Sequence, residues 1–400
     1  MITCYPPVMH SGSEHTPDMS SGQRAQLSVF AMTFLYALSV TMIGPLMPLI
    51  IDSFELRLSV AGLLVSFQQL GGIMAIVASA LFADRTRKPL LIAGGFLVYS
   101  VSLFSAGVAL NYIILAGSFF AIGASSRLFD AVANADTAQW NPRRSALHVS
   151  LLHTSFAVGA LVGPLYVSTL VEAGLQWRAA FLGLGAAAAL AVAVYVTRSH
   201  FRRKISATAA VKAGSVAAVL RAPRMWIACA VMLFYVGHQA GFSVWLPMYL
   251  QTSLGAPVRM GAAAVSLYWF GIIVGRLLAA RLAARVSIKR QLWTGGLAGG
   301  LVLLLTFATR NPQFLTAGAL LAGVASGGVI PNLVTLCCGW FADNTATASS
   351  MLFLMASVGH MVSPWLIAVV TELSSFDIGF TLPIAALGLV GAIALALPQR

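Results

Sequence analysis

The chain has 400 residues, of which 59% are hydrophobic and only 9% are charged, and its mean hydropathy is +0.87. Soluble domains carry about 25% charged residues, so this composition excludes a soluble globular protein and indicates a polytopic membrane protein. The formal net charge of +13 could suggest a nucleic-acid partner. However, the basic residues lie in short segments between apolar runs, where the positive-inside rule explains them, and we exclude nucleic acid.

Residues 1–25 are polar and contain no apolar core of a signal peptide, so we interpret them as a cytosolic tail. Beyond them, twelve apolar runs are long enough to cross a bilayer core of about 30 Å. The predicted spans are 26–50, 58–82, 90–110, 112–138, 145–171, 178–197, 225–250, 260–284, 291–309, 314–341, 345–371 and 378–397. The predicted fold class is therefore an all-α polytopic membrane protein with 12 transmembrane helices.

Lysine and arginine residues are strongly biased to one side of these spans. Eighteen of the 24 lie on the side of the N-terminus, against four on the other side: Arg57, Arg178, Arg259 and Arg310. The bias predicts that both termini are cytoplasmic. We expect a multi-pass protein of a plasma membrane, the inner membrane in a bacterium.

A basic linker divides the chain at its centre. Residues 198–224 contain seven lysines and arginines and no acid, which is typical of a cytosolic linker lying against anionic lipid head groups. The linker separates a predicted six-helix bundle at 26–197 from a second one at 225–400. We assign the linker no role in binding the solute.

The two bundles are related by an internal repeat. At an offset of 200, residues 157–164 match residues 357–364, and Glu172 matches Glu372. Because each half contains an even number of spans, both have the same orientation, which indicates a parallel repeat about an axis along the membrane normal. The predicted architecture is two pseudo-symmetric bundles around a site near the midplane.

The fourth predicted span carries charges where lipid would disfavour them. Arg127, Asp130 and Asn134 occur at i, i+3 and i+7 and share a helix face. A charge at the bilayer centre costs about 2.5–3.5 kcal/mol on insertion scales, so such residues usually have a function. His153 lies at the same predicted depth in the next span. Because burial favours a protonated carboxyl and a nearby cation favours the ionised one, Asp130 with Arg127 and His153 suits proton coupling. The alternative is a structural i, i+3 pair of Arg127 and Asp130.

Other spans supply polar residues that we expect to line a cavity together with Asn134. The seventh span carries Tyr235, His238 and Gln239 with Phe242 along one stripe. A packing role is the alternative for this stripe. We add three single residues from later spans: Tyr268, Asn332 and His360. The histidines and cysteines show no ligand spacing, so we expect no metal site and no cofactor.

Several segments carry a family resemblance. The chain as a whole resembles a major facilitator superfamily transporter, and the segments at 128–134, 151–164, 177–181, 235–250 and 275–278 resemble its fucose:proton symporter branch. In that branch an acid before an Ala-Asn pair in the fourth helix takes part in proton coupling. The resemblance assigns this role to Asp130 and matches its Asn to Asn134.

The loop at 81–88 resembles the signature between the second and third helices of that superfamily. The resemblance implies that Asp84 and Arg85 latch the two halves in the outward-open state, and we place Arg276 with them as a gating residue. The sequence also departs from the sugar symporters. The first span has no acid, Gln239 stands where many relatives have Glu, and Arg127 would suit an anionic solute.

These observations predict a proton-coupled secondary transporter, not an enzyme, that moves a small polar solute such as a sugar or an organic anion by alternating access. Its partners would be the solute, protons and the lipid bilayer, and we expect a monomer. An efflux antiporter for drugs or other hydrophobic cations is the alternative with the same fold. A membrane enzyme or a sensor is a weaker alternative, because the sequence shows no nucleophile with a base and no soluble domain.

Overall fold

The structure is a computed structural model that describes residues 19–82, 87–140, 145–198 and 216–398. These residues form helices joined by short turns. The helices of the first half are α1 (Met19–Phe54), α2 (Leu58–Phe82), α3 (Lys88–Gly107), α4 (Tyr112–Trp140), α5 (Ser145–Glu172) and α6 (Trp177–Arg198). After the short helix α7 (Val216–Leu220) follow α8 (Pro223–Thr252), α9 (Val258–Leu282), α10 (Ile288–Ala308), α11 (Pro312–Ser326), α12 (Val329–Trp340), α13 (Thr345–Leu373) and α14 (Phe376–Ala394).

Twelve segments of the described chain are long and apolar enough to cross a membrane, which confirms the predicted spans. The seventh to ninth spans are α8, α9 and α10. The tenth, at Pro312–Trp340, consists of α11 and α12 with a break at Gly327 and Gly328. Helices α13 and α14 are the last two spans. Most of the predicted tail and of the central linker lie outside the described residues.

Local sequence signals explain where several helices begin. Asn311 caps α11, since its Oδ1 atom accepts hydrogen bonds from the backbone N–H groups of residues 313 and 314 at 2.9 and 3.3 Å. Ser375 caps α14 in the same way through its Oγ atom. Proline at the first or second position begins α3, α8 and α11, where no helical N–H bond is lost. These signals mark the N-termini of α3, α8, α11 and α14.

The two halves have the same internal packing, which confirms the pseudo-symmetric architecture. In the first half (the N-half, residues 19–198) α1 packs on α5, α2 on α4 and α3 on α6. In the second half (the C-half, residues 223–398) the equivalent pairs α8–α13, α9–α11 and α10–α14 pack in the same way. The halves meet mainly through α2 and α13, α5 and α9, and α1 and α8. Contacts between the halves thus come mainly from the first, second and fifth spans of each half.

The halves close against each other on one side. We call the side on which α1 begins the basic side and the other the opposite side. Near the opposite side, Glu172 of α5 pairs with Arg259 of α9, and the backbone N–H of Ser59 donates to Glu372 at 2.8 Å. Closer to the middle, the Ser266 hydroxyl donates to the backbone oxygen of Leu161 at 2.8 Å. These polar contacts between the halves thus lie near the opposite side and towards the middle of the membrane-spanning region.

A close approach of α1 and α8 depends on a glycine and a proline. Pro247 has no N–H to bond the carbonyl of Ser243, which is therefore free to face α1. A Cβ atom on Gly44 would lie 2.2 Å from this Ser243 oxygen, so the packing requires glycine at position 44. This contact brings the two pseudo-equivalent helices together in the half of the membrane that is closed.

A polar contact also joins the spans of the C-half on the opposite side. Arg310, in the turn after α10, donates to Asp377 of α14 at 2.7 Å. The hydroxyl of Tyr249 donates to the same carboxylate oxygen at 2.9 Å. The bond to Asp377 raises the pKa of the Arg310 guanidinium, which stays charged.

Candidate functional site

Six polar side chains from both halves lie between the closed opposite side and the basic side. We call them the central cluster: Arg127, Asp130 and Asn134 of α4, His153 of α5, Arg276 of α9 and His360 of α13. His153 is exposed and the other five are partly exposed, although all six lie within membrane-spanning helices. They come from four helices at the interface of the halves, and electrostatic interactions connect Asp130 with Arg127 and His153, His153 with Arg276, and Arg127 with His360.

Asp130 is the carboxylate of this cluster. The Asn134 amide Nδ2 donates to Asp130 Oδ1 at 3.0 Å and to the Asp130 backbone oxygen at 2.8 Å. Arg127 and His153 interact with Asp130 electrostatically, but neither forms an ion pair below 4.0 Å with it in the described chain. A direct Arg127–Asp130 salt bridge, the structural alternative from the sequence, is therefore not formed. Asp130 therefore lies near two basic side chains but forms a direct ion pair with neither.

Arg127 reaches from α4 towards the C-half. Its Nη2 atom donates to Gln69 Oε1 of α2 at 3.4 Å, and a Cβ atom on Gly72 would lie 2.6 Å from Arg127 Cγ. Gly72 therefore leaves the room that the arginine stem occupies. The guanidinium interacts electrostatically with Tyr36 of α1 and with His360 of the C-half. Arg127 is thus positioned by α2 and faces both halves.

Arg276 is its counterpart in the C-half. It interacts electrostatically with His153 of the N-half and with Tyr235 and Tyr268 of its own half. The hydroxyl of Tyr235 donates to the backbone oxygen of Ser326 at 2.8 Å, at the break of the tenth span, where a helix end leaves carbonyls free. Gln239 donates to the Tyr235 oxygen at 3.2 Å. A broken helix beside a central site is common in secondary transporters.

Comparison with known proteins identifies the family. The family model of the Major Facilitator Superfamily matches residues 29–304 and 250–400. The chain belongs to the Major Facilitator Superfamily.

Relatives of this major facilitator are described as transporters. An uncharacterised MFS-type transporter of Yersinia pestis is 21% identical over 371 residues, covering 92% of this chain and 94% of the relative. The inner membrane transport protein YdiN of Escherichia coli is 20% identical over 348 residues, covering 85% and 82%. The family and these relatives are transporters, not enzymes, and the chain is a multi-pass secondary transporter.

Solved structures share the major facilitator fold. A bacterial homologue of the human lysosomal transporter Spinster, inward-facing and unoccupied, superposes with a TM-score of 0.76 at 18% identity, covering 95% of this chain and 96% of that one. The nucleoside transporter NupG gives a TM-score of 0.75 at 13% identity, with 95% and 98% covered. At these identities the likeness concerns the fold.

The structure does not bring every predicted site residue of this major facilitator to the central cluster. His238 is fully buried, and its Nδ1 atom lies 2.7 Å from the backbone oxygen of Pro383 in α14. Its ring stacks on Phe242 at a centroid distance of 5.4 Å. Asn332 donates to Gln291 of α10 at 3.0 Å, near the basic side. These two side chains are engaged inside the C-half.

Tyr235, Gln239 and Tyr268 form a buried layer behind the cluster. Tyr235 and Tyr268 are 0% exposed and Gln239 is 7% exposed. The hydroxyl of Tyr268 lies beside the Gln239 amide without hydrogen-bond geometry. Arg276, six residues before the end of α9, lies nearer to the basic side than this layer does.

Sequence reasoning missed two residues that contact the cluster. Tyr36 is 4% exposed, lies beside Arg127 and Asp130, and packs edge-on against Phe156 of α5 at 5.6 Å. Gln69 holds Arg127. The available signal was weak, because several other polar residues occur in the same two spans, among them Thr33 and Ser39 in α1 and Gln68 in α2. Two of the predicted gating residues, Asp84 and Arg85, lie outside the described residues.

The donor set of the described chain does not favour a metal. It contains no group of three or more His, Cys, Asp or Glu side chains placed to hold an ion. The cluster offers one carboxylate, two guanidiniums and two imidazoles. Two fixed positive charges disfavour a cation.

Proposed function

We propose that this major facilitator couples the movement of protons to the movement of a small polar solute, such as a sugar or an organic anion. Asp130 is the proton carrier, and Arg127 and His153 bias its protonation. The remaining contacts to the solute come from Asn134, Arg276 and His360, with the Tyr235–Gln239 layer behind them. The observation that carries this proposal is the position of Asp130. It is the one carboxylate in the interior of a predicted span, and it is partly exposed to the space between the halves.

The arrangement around Asp130 supports a change of protonation during transport. The Asn134 amide donates to the ionised carboxylate and can accept from the protonated one after the amide turns over. The cations act on Asp130 at a distance, so a solute that competes for Arg127 or His153 changes how strongly Asp130 holds its proton. Binding of the solute and protonation of Asp130 are thereby linked through Arg127 and His153.

The closed opposite side and the accessible cluster support alternating access. If the basic side faces the cytoplasm, as the distribution of lysine and arginine predicts, the structure is the inward-facing state. We place the protein in a bacterial inner membrane with both termini cytoplasmic. One chain supplies the cluster from its own two halves, which supports a working monomer.

Export of hydrophobic cations is the alternative function. The cluster carries two guanidiniums for one carboxylate, and this excess of positive charge repels such solutes. A cationic dye that raises the melting temperature of the purified protein and is expelled by vesicles would replace the present proposal.

Transport by the Asp130→Asn variant in proteoliposomes tests the proposal. Asparagine keeps the size of the side chain but cannot carry a proton. We expect proton-driven accumulation to be lost, while counterflow exchange, which moves no net proton, survives. Asp136→Asn, on the same helix nearer to the basic side, is the matched control. Full accumulation by Asp130→Asn would exclude the role of Asp130 in coupling.

A further inference from the structure

The central cluster holds more positive than negative charge. Arginine stays protonated at every physiological pH, so the cluster contains two fixed positive charges. Arg127 interacts electrostatically with Asp130, and Arg276 interacts electrostatically with His153. In the described chain the ion pairs within 4.0 Å are Arg310–Asp377 and Arg259–Glu172, both on the opposite side. Charges within a membrane protein are normally paired with a counter-charge or bound to a ligand. The two central arginines therefore lack a protein counter-charge in direct contact within the described residues.

Arg276 is under-coordinated inside the protein. Its Nε–H is buried and has no hydrogen-bond partner in the described chain. Helix α9, which carries Arg276, packs closely on the break in the tenth span. A Cβ atom on Gly327 would lie 2.4 Å from the backbone oxygen of Ile272 and 3.1 Å from the Arg276 backbone nitrogen. A guanidinium has five N–H donors in a planar fork that matches two oxygens of a carboxylate or phosphate. The backbone of Arg276 is thus closely packed, while its buried Nε–H has no hydrogen-bond partner in the described chain.

Arg127 also forms few hydrogen bonds within the described chain. Its one hydrogen bond within the described chain is the long contact of 3.4 Å to Gln69. The residue of the other half with which it interacts electrostatically is His360, which cannot supply a negative charge. Gly72 leaves room for the Arg127 stem beside α2, and the electrostatic interaction with His360 shows that the guanidinium lies near the C-half. Arg127 thus interacts with His360 of the C-half, and Arg276 interacts with His153 of the N-half, so both arginines lie at the interface of the halves.

We infer that the cargo of this transporter is a small organic anion whose carboxylate or phosphate group binds between Arg127 and Arg276. The anion supplies the counter-charge that both guanidiniums lack. Because each arginine belongs to a different half, an anion that contacts both pulls the halves together around itself. Binding would then favour closure of the basic side, which is the next step of alternating access.

This inference deepens the proposed function and rests on it for transport, but anion binding can be measured alone. The measurement is the melting temperature of the purified protein as a function of added sodium sulfate, with sodium chloride at matched ionic strength. Sulfate is the generic oxyanion probe. Sodium succinate and glucose 6-phosphate distinguish a carboxylate from a phosphate cargo, and glucose is the neutral control.

We expect oxyanions to raise the melting temperature of the wild type in a saturable manner, because they bind the folded state. The apparent affinity should fall about tenfold or more in Arg127→Gln and in Arg276→Gln, as for the loss of one charge-assisted contact. The saturable response should disappear in the double variant. Arg281→Gln removes an exposed charge from the same helix as Arg276 and should leave the response unchanged.

Equal sulfate and anion responses in the wild type and the double variant would overturn the inference, as would a shift by glucose that both proteins share. If a glutamine variant does not fold, Arg127→Lys and Arg276→Lys replace it, since a point charge keeps part of the affinity but loses the bidentate contact. An overturned anion site leaves proton coupling through Asp130 untouched. Conversely, accumulation by Asp130→Asn would leave the anion site standing.

Discussion

Glu172, at the end of α5, has its Oε1 atom 4.0 Å from Nε of Arg259, at the start of α9. A second carboxylate contact repeats this arrangement: Glu372, at the end of α13, accepts from the backbone N–H of Ser59, at the start of α2. Residues 172 and 372 are 200 apart, and so are residues 59 and 259. The two contacts are therefore related by the internal repeat, and both join the halves on the opposite side.

Removing both carboxylates should weaken closure of the opposite side. An exposed ion pair contributes about 0.2–1 kcal/mol and a hydrogen bond to a charged group about 1.5–3 kcal/mol. We therefore predict that Glu172→Ala with Glu372→Ala shifts the equilibrium about tenfold or more towards the state open on that side. Spin labels at Leu110 and Leu373, which are 84% and 82% exposed in different halves, report the separation. The fraction of molecules with a longer distance between the two spin labels should increase.

The matched control is Asp52→Asn, which removes an exposed carboxylate at the end of α1 on the same side. It should leave the distance distribution unchanged. An unchanged distribution in the double Glu variant would mean that apolar packing between the halves closes this side without the two carboxylates.

Gly72→Ala should displace Arg127 without a new charge. The added Cβ would lie 2.6 Å from Arg127 Cγ, so the arginine stem must move. We predict that the affinity for the transported solute falls several-fold while the protein still folds, because a side chain and not the backbone gives way. Isothermal titration of the purified variant measures the affinity. Gly117→Ala, on α4 where a Cβ meets nothing within 4 Å, should bind like the wild type.

His238→Ala should reduce stability more than solute binding. The substitution removes the contact with the Pro383 oxygen and leaves a cavity beside Phe242, at a cost of about 2–4 kcal/mol. His238→Asn keeps a donor near the position of Nδ1 and should recover part of the loss. Thermal unfolding in detergent and the KM for transport separate the two effects. A raised KM at unchanged stability would instead make His238 a solute ligand.

The sequence was sufficient to predict the spans, the repeat and the polar face of α4, because charges in apolar runs are rare and an offset of 200 is visible by alignment. It could not separate His238 from Gln239. Neighbouring helix positions differ by about 100° around the axis, and only the packing of α8 decides that His238 contacts Pro383 of α14 while Gln239 contacts Tyr235. Tyr36 was missed because a phenol in an apolar span has the same pattern as a packing aromatic. Asn332 depends on the break in the tenth span, which hydropathy does not reveal.

Proton movement itself tests the central claim that Asp130 couples solute to protons. Proteoliposomes that contain a pH-sensitive dye are given an inward gradient of the solute, and the internal pH is followed. For the wild type we predict acidification that stops when the solute is omitted. Asp130→Asn should exchange labelled solute at a comparable rate with no change of internal pH. Acidification by Asp130→Asn equal to that of the wild type would contradict the account.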